Sequence, residues 1–94
     1  MTFTDTYIIR DSGGAIVASL AISCYERGIY VAAFDGAAAI SGKTPDAAVT
    51  NLHRRAADLP DDMRPVCVAL RRPGPAGWRQ RIHDAGYHTE HTGA

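Results

Sequence analysis

Gly42-Lys43-Thr44-Pro45-Asp46-Ala47-Ala48-Val49-Thr50-Asn51-Leu52 is the stretch that decides the fold. Thr44 offers a hydroxyl to the free amides of a helix start. Pro45 suits the first helical position, and Asp46 complements the positive end of the helix dipole. Ala48, Leu52, Ala56 and Leu59 then recur at spacings of four, four and three, with Val49 beside them. That is one apolar stripe, with Arg54 opposite and His53 on its flank. The spacing predicts a helix over 45–59, stopped by Pro60 and the Asp61-Asp62 loop, with Ala48 and Ala56 small enough to lie close on a sheet.

The residues before this helix supply the sheet. Asp5, Tyr7 and Ile9 alternate with Thr6, Ile8 and Arg10, and Asp11-Ser12-Gly13-Gly14 is a hairpin turn signal. Ile16, Ala18, Leu20, Ile22 and Cys24 form an apolar face opposite the mixed face Val17, Ser19, Ala21, Ser23 and Tyr25, as in a half-buried antiparallel strand. After the turn Glu26-Arg27-Gly28, Ile29–Phe34 makes a third strand, with Tyr30, Ala32 and Phe34 on one face. Ala38–Ser41 reads equally as a short edge strand or a loop.

Downstream, Val66-Cys67-Val68-Ala69-Leu70 is a short continuous apolar run with two valines, the pattern of a strand covered on both faces and parallel to an earlier one. Pro75–Ala85 reads as a second helix with Trp78, Ile82 and Ala85 on one stripe. Gly86 is placed to take a left-handed cap, with Tyr87 folding back on Ile82. Tyr87–Glu90 is a candidate final strand, and the tail ending Thr92-Gly93-Ala94 is expected to fray. The 94 residues make a single α+β domain over 1–94, ordered β-β-β-α-β-α with room for a final β, and this order looks like a small ribonuclease H-like sheet.

Composition narrows the function. The chain is 46% hydrophobic with a formal net charge of +0, so nothing global attracts nucleic acid or membrane. Near-zero charge also favours self-association. Met1-Thr2-Phe3-Thr4-Asp5 lacks the pattern of a signal peptide, and no apolar run approaches the roughly 18–20 residues of a membrane span, so a cytoplasmic location is expected. Cys24 and Cys67 lie in apolar runs and are expected as buried, reduced thiols. Between Met63 and His83 stand five arginines, Arg64, Arg71, Arg72, Arg79 and Arg81, with no Asp or Glu. They are the candidate contacts to nucleic acid or a partner, against the plainer reading of a solvated surface.

The segment from Leu20 to Leu52 resembles the HicB-like antitoxin domain, a truncated ribonuclease H-like fold. The matching residues are Gly28, Tyr30-Val31-Ala32, Gly36, Gly42, Thr44, Ala48 and Asn51-Leu52. Gly42 is read as serving a tight turn, Thr44 a helix cap. The chain departs from the family in its shortened loop, Asp35-Gly36-Ala37-Ala38, and in carrying Ala47 where the family has an acidic residue. Fewer than thirty residues follow Val66–Leu70, too few for the DNA-binding domain many such antitoxins append. The resemblance implies a protein that neutralises another by contact.

Catalytic readings find little to stand on. A metal-dependent nuclease needs converging carboxylates; Asp11 and Asp46 are the candidates, while the position after Val66–Leu70 reads Arg71-Arg72, the wrong sign for a metal. His83, His88 and His91, with Asp84 and Glu90, straddle a helix end and a tail rather than a fixed tetrahedral site. Gly42-Lys43-Thr44 lacks the earlier glycine of a phosphate loop, since Ala37 stands there. No catalytic, cofactor or metal residues are assigned, and no small-molecule substrate or membrane partner is inferred. The leading expectation is a non-catalytic interaction module, antitoxin-like or phage-accessory in style, with a protein partner and a homodimer. A small nucleic-acid binder using residues 64–83, with Trp78 as stacking platform, is the alternative, and a ribonuclease H-like nuclease the second.

Overall fold

Strand alternation in the first third of the chain becomes a meander. The computed structural model describes residues 4–35, 37–71 and 77–93. β1 (Thr4–Arg10), β2 (Ile16–Glu26) and β3 (Ile29–Phe34) pair antiparallel in succession. The first hairpin is built by Asp11, whose carboxylate accepts the amides of Gly13 (2.9 Å) and Ala15 (3.0 Å). Gly14 completes it with φ +87°, a conformation that side chains rarely adopt. β4 (Ile40–Gly42) adds to β3, and β5 (His88–Gly93) adds to β1. The five-stranded sheet runs β4-β3-β2-β1-β5, antiparallel throughout.

The helices cover one face of it. α1 (Pro45–Asn51) starts where the sequence places it, with the Thr44 hydroxyl accepting the Ala47 amide at 3.0 Å. It does not run on as one α-helix to Leu59, because Leu52–Asp58 tightens into a 3-10 helix. Thr50 and Asn51, at the change, are poor α-formers whose side chains bond elsewhere. Leu52 and Leu59 stay buried all the same, so the apolar stripe survives the change of helix type.

Val66–Leu70 is the main correction. It is not a strand but the body of α2 (Arg64–Arg71), preceded by a 3-10 turn at Asp61–Met63. Five apolar residues in a row look like an interior strand when read alone. In the structure Met63, Val66, Cys67 and Leu70 face inward at helical spacing, while Val68 points out, 56% exposed. Pro65 sits in the first turn, where its missing amide costs nothing. The strand beside β1 at the edge of the sheet is β5, running antiparallel, and no described strand pairs parallel with another. Part of the tail expected to fray is therefore sheet, and the Thr92 hydroxyl lies 3.1 Å from that of Thr6.

α3 (Trp78–Asp84) falls inside the expected second helix; residues 75 and 76 lie outside the described residues. Its C-terminal cap forms as read from the sequence. Gly86 has φ +97°, its amide bonds the His83 carbonyl (3.0 Å), and the Tyr87 amide bonds that of Ile82 (3.2 Å). Between sheet and helices lies one core. Ile9, Leu20, Ile22, Ala32 and Phe34 meet Val49, Leu52, Val66, Leu70, Trp78 and Ile82. Each large side chain buried there contributes about 1.5–3 kcal/mol.

Candidate interaction surface

Gly42, Thr44, Asp46, Ala48, Thr50 and Asn51 of the helix-start motif have work inside the fold. Gly42 is not a positive-φ turn, as its place in a loop suggested. It is a point of close approach, where an added Cβ would stand 2.8 Å from the Ala47 carbonyl carbon and the Ala48 Cα. Ala48 is fully buried, and the Asn51 amide nitrogen donates to the Ser41 carbonyl at 3.0 Å, tying α1 to β4. Asp46 reaches the other way. Its carboxylate accepts the Trp78 amide at 2.6 Å, capping α3 from a different helix, and lies 3.9 Å from the Arg81 guanidinium. Arg81 also donates to the Thr50 hydroxyl.

The candidate carboxylates and thiols have places in the fold. Asp11 is engaged in a hairpin and Asp46 in a cap. Among the described residues no group of three or more His, Cys, Asp or Glu is placed to hold a metal ion. His83 and His88 stand edge to face with ring centroids 6.0 Å apart, while His91 is elsewhere, 3.1 Å from the Asp5 carboxylate. Both thiols are free. Burial pushes the Cys67 thiol above its ordinary pKa, so it is a poor nucleophile. Cys24, expected inside, is half-buried, its Sγ 3.7 Å from the Glu26 carbonyl oxygen.

Of the five arginines, the four described do not share one surface. Arg64 and Arg71 are exposed on α2, at the rim of a groove that includes His53, Ala56 and Val68, and Arg64 pairs with Asp61 at 3.1 Å. Arg79 is exposed on α3, its guanidinium carbon 5.4 Å from the centre of the Tyr7 ring. Arg81 is buried between helices, 8% exposed, and offers nothing to a partner. Arg72 lies outside the described residues. Trp78 is core, 6% exposed and edge-on to Tyr7, so it is no stacking platform.

Among the described residues, nothing covers the second face of the sheet. The register sets Thr6 and Ile8 of β1 against Ala21 and Ser19 of β2, and Ala21 against Ala33 of β3. These side chains, small apart from Ile8, line a shallow hollow of about 560 Å³ with Thr92 and Asp35 at the margins. The mixed face of β2 was legible as half-exposed. Its width was not, because the strand that extends it, β5, was expected to be shorter and the tail beyond it loose. Among the described residues no helix is long and apolar enough to cross a membrane.

No protein-family model matches the chain, nor does any curated protein or solved structure.

Proposed function

We propose that this chain is a non-catalytic, cytoplasmic protein-interaction module, antitoxin-like in style, which binds a protein partner through the uncovered face of its sheet. The observation that carries the reading is that face itself. Thr6, Ile8, Ser19, Ala21, Ala33 and Thr92 present a shallow surface across the strands that carries one carboxylate, Asp35, at its margin and no cation in its lining, a surface suited to protein rather than to phosphate. The resemblance of residues 20–52 to HicB-like antitoxins supports the same role. The dispersal of the arginines and the burial of Trp78 weigh against the nucleic-acid alternative. The engagement of Asp11 and Asp46 in turns and caps weighs against a nuclease.

The test is capture from the source cells by the tagged chain, beside a Ser19→Arg variant that places a cation on the exposed face. A protein held by the native chain in 0.5 M salt and lost by the variant is the expected result. Capture of nucleic acid with steep salt dependence, or cleavage of RNA or DNA with Mn²⁺ that Asp11→Asn abolishes, would overturn it.

A further inference from the structure

The two edges of the sheet differ. β4 is three residues long and α1 is seated on it, with the Ser41 carbonyl already taken by Asn51. β5 has six residues and pairs with β1 alone. Protected edge strands carry lysine, proline or a covering helix; His88-Thr89-Glu90-His91-Thr92-Gly93 contains neither residue, and α3 meets it only through side chains, Arg79 donating to the Thr89 hydroxyl at 3.4 Å and the His83 ring 6.0 Å from that of His88, while four of its side chains are exposed. We infer that β5 pairs with β5 of a second copy, antiparallel, about a two-fold axis through Thr89.

The register follows from charge and from a bulge. A two-fold antiparallel pair sets residues equidistant from its axis opposite each other on the same face. An axis through Glu90 would oppose two carboxylates. One through His91 would oppose two imidazoles. Both would also force Thr92 into the new ladder, and Thr92 is the extra residue where the β1–β5 register slips. An axis through Thr89 sets His88 opposite the second copy's Glu90, twice, and the ladder ends before the slip. Neutral or charged, an imidazole can donate to that carboxylate. Glu90 then lies between the second copy's His88 and its own chain's Arg10, which is 3.7 Å away. The three opposed pairs from His88 to Glu90 equal the ladder that holds β4 to β3.

Size points the same way. Five strands at about 4.8 Å spacing and six residues at about 3.3 Å give one open face roughly 500 Å². A stable protein complex covers about 800 Å² per partner. Two sheets joined at β5 present about 1,000 Å². This size argument rests on the partner-binding reading; the register argument does not.

Sedimentation equilibrium from micromolar to millimolar concentration tests the pairing. A concentration-dependent dimer is expected, weakened at least tenfold by Glu90→Lys with the circular dichroism and melting curve retained. The swap of His88→Glu with Glu90→Lys exchanges the two charges and restores it. Under mild oxidation Thr89→Cys should cross-link between copies faster than Glu90→Cys, with peptide mapping separating these bridges from Cys24 and Cys67. A chain monomeric at millimolar concentration, a dimer indifferent to Glu90→Lys, or faster bridging through Glu90→Cys would each overturn the inference. A dimer of this register that captures no protein would uphold the pairing and sink the partner reading.

Discussion

Gly42→Ala should be among the most damaging single-methyl changes available in this chain. The new Cβ would meet the Ala47 carbonyl carbon and the Ala48 Cα at 2.8 Å, where ordinary carbon contacts are about 3.5–4.0 Å. Those atoms are helix backbone, so no side chain can swing aside, and α1 must move off β4 by most of an ångström. Overpacking of this kind costs about 1–3 kcal/mol. An opposing gain of about 0.4–1 kcal/mol comes from a stiffer unfolded chain, because Gly42 does not need a positive φ. Because the obstruction is rigid backbone the cost lies in the upper half of that range, and the net loss is about 1–2.6 kcal/mol, which for a domain of this size lowers the melting temperature by roughly 4–21 °C. Urea unfolding followed by circular dichroism measures it. Gly13→Ala, whose Cβ would stand 3.4 Å from the Asp11 carboxylate, is the control. Adding Ala48→Gly should not rescue Gly42→Ala, since the obstruction is backbone. A stability within about 0.5 kcal/mol of the native chain, the scatter of an ordinary surface change, would refute the close-approach argument.

Asp46→Ala removes the cap from the Trp78 amide and the carboxylate 3.9 Å from Arg81, and should cost about 1–2 kcal/mol in the same urea assay. A change below about 0.3 kcal/mol would mean the cap contributes nothing. Val68→Glu should shift stability by no more than about 0.5 kcal/mol, because the side chain leaves α2 into water; a loss of several kcal/mol would revive an interior strand at Val66–Leu70. Cys67 should resist alkylation in the native protein while Cys24 reacts first, read by mass spectrometry against time. Burial raises the Cys67 pKa, so the unfolded chain loses that proton first. Stability should then fall as pH rises through the free-thiol range and be unaffected by Cys67 below it. Loss of that alkaline slope in Cys67→Ala is the check.

Local physics was legible in the sequence. Thr44 caps a helix, Gly86 ends one and Gly14 turns a hairpin because each needs only its neighbours in the chain. The faces of β1, β2 and β3 followed from alternation, since a strand exposes its period directly. Val66–Leu70 escaped because five apolar residues have no period of their own. Only the burial of Met63, Val66, Cys67 and Leu70 in the core, with Val68 left in water, selects a helix. The tail escaped for a related reason. Nothing in His91–Gly93 is apolar enough to extend the candidate strand at Tyr87–Glu90, and it is held by ladder bonds to β1, some eighty residues away.

The same division runs through the candidate site. Sequence grouped five arginines by their numbers, whereas the fold sends Arg81 inward, Arg79 over Tyr7, and Arg64 and Arg71 to another helix. Asp46 and Trp78 are far apart in the chain and share a hydrogen bond, so a carboxylate that reads as the start of one helix is also the cap of another. Gly42 was read as a turn, and only the seating of α1 on β4 gives its reason. Residue type and spacing fix what a segment prefers by itself; which face it buries, and against what, is set by contacts between distant segments that no local pattern encodes.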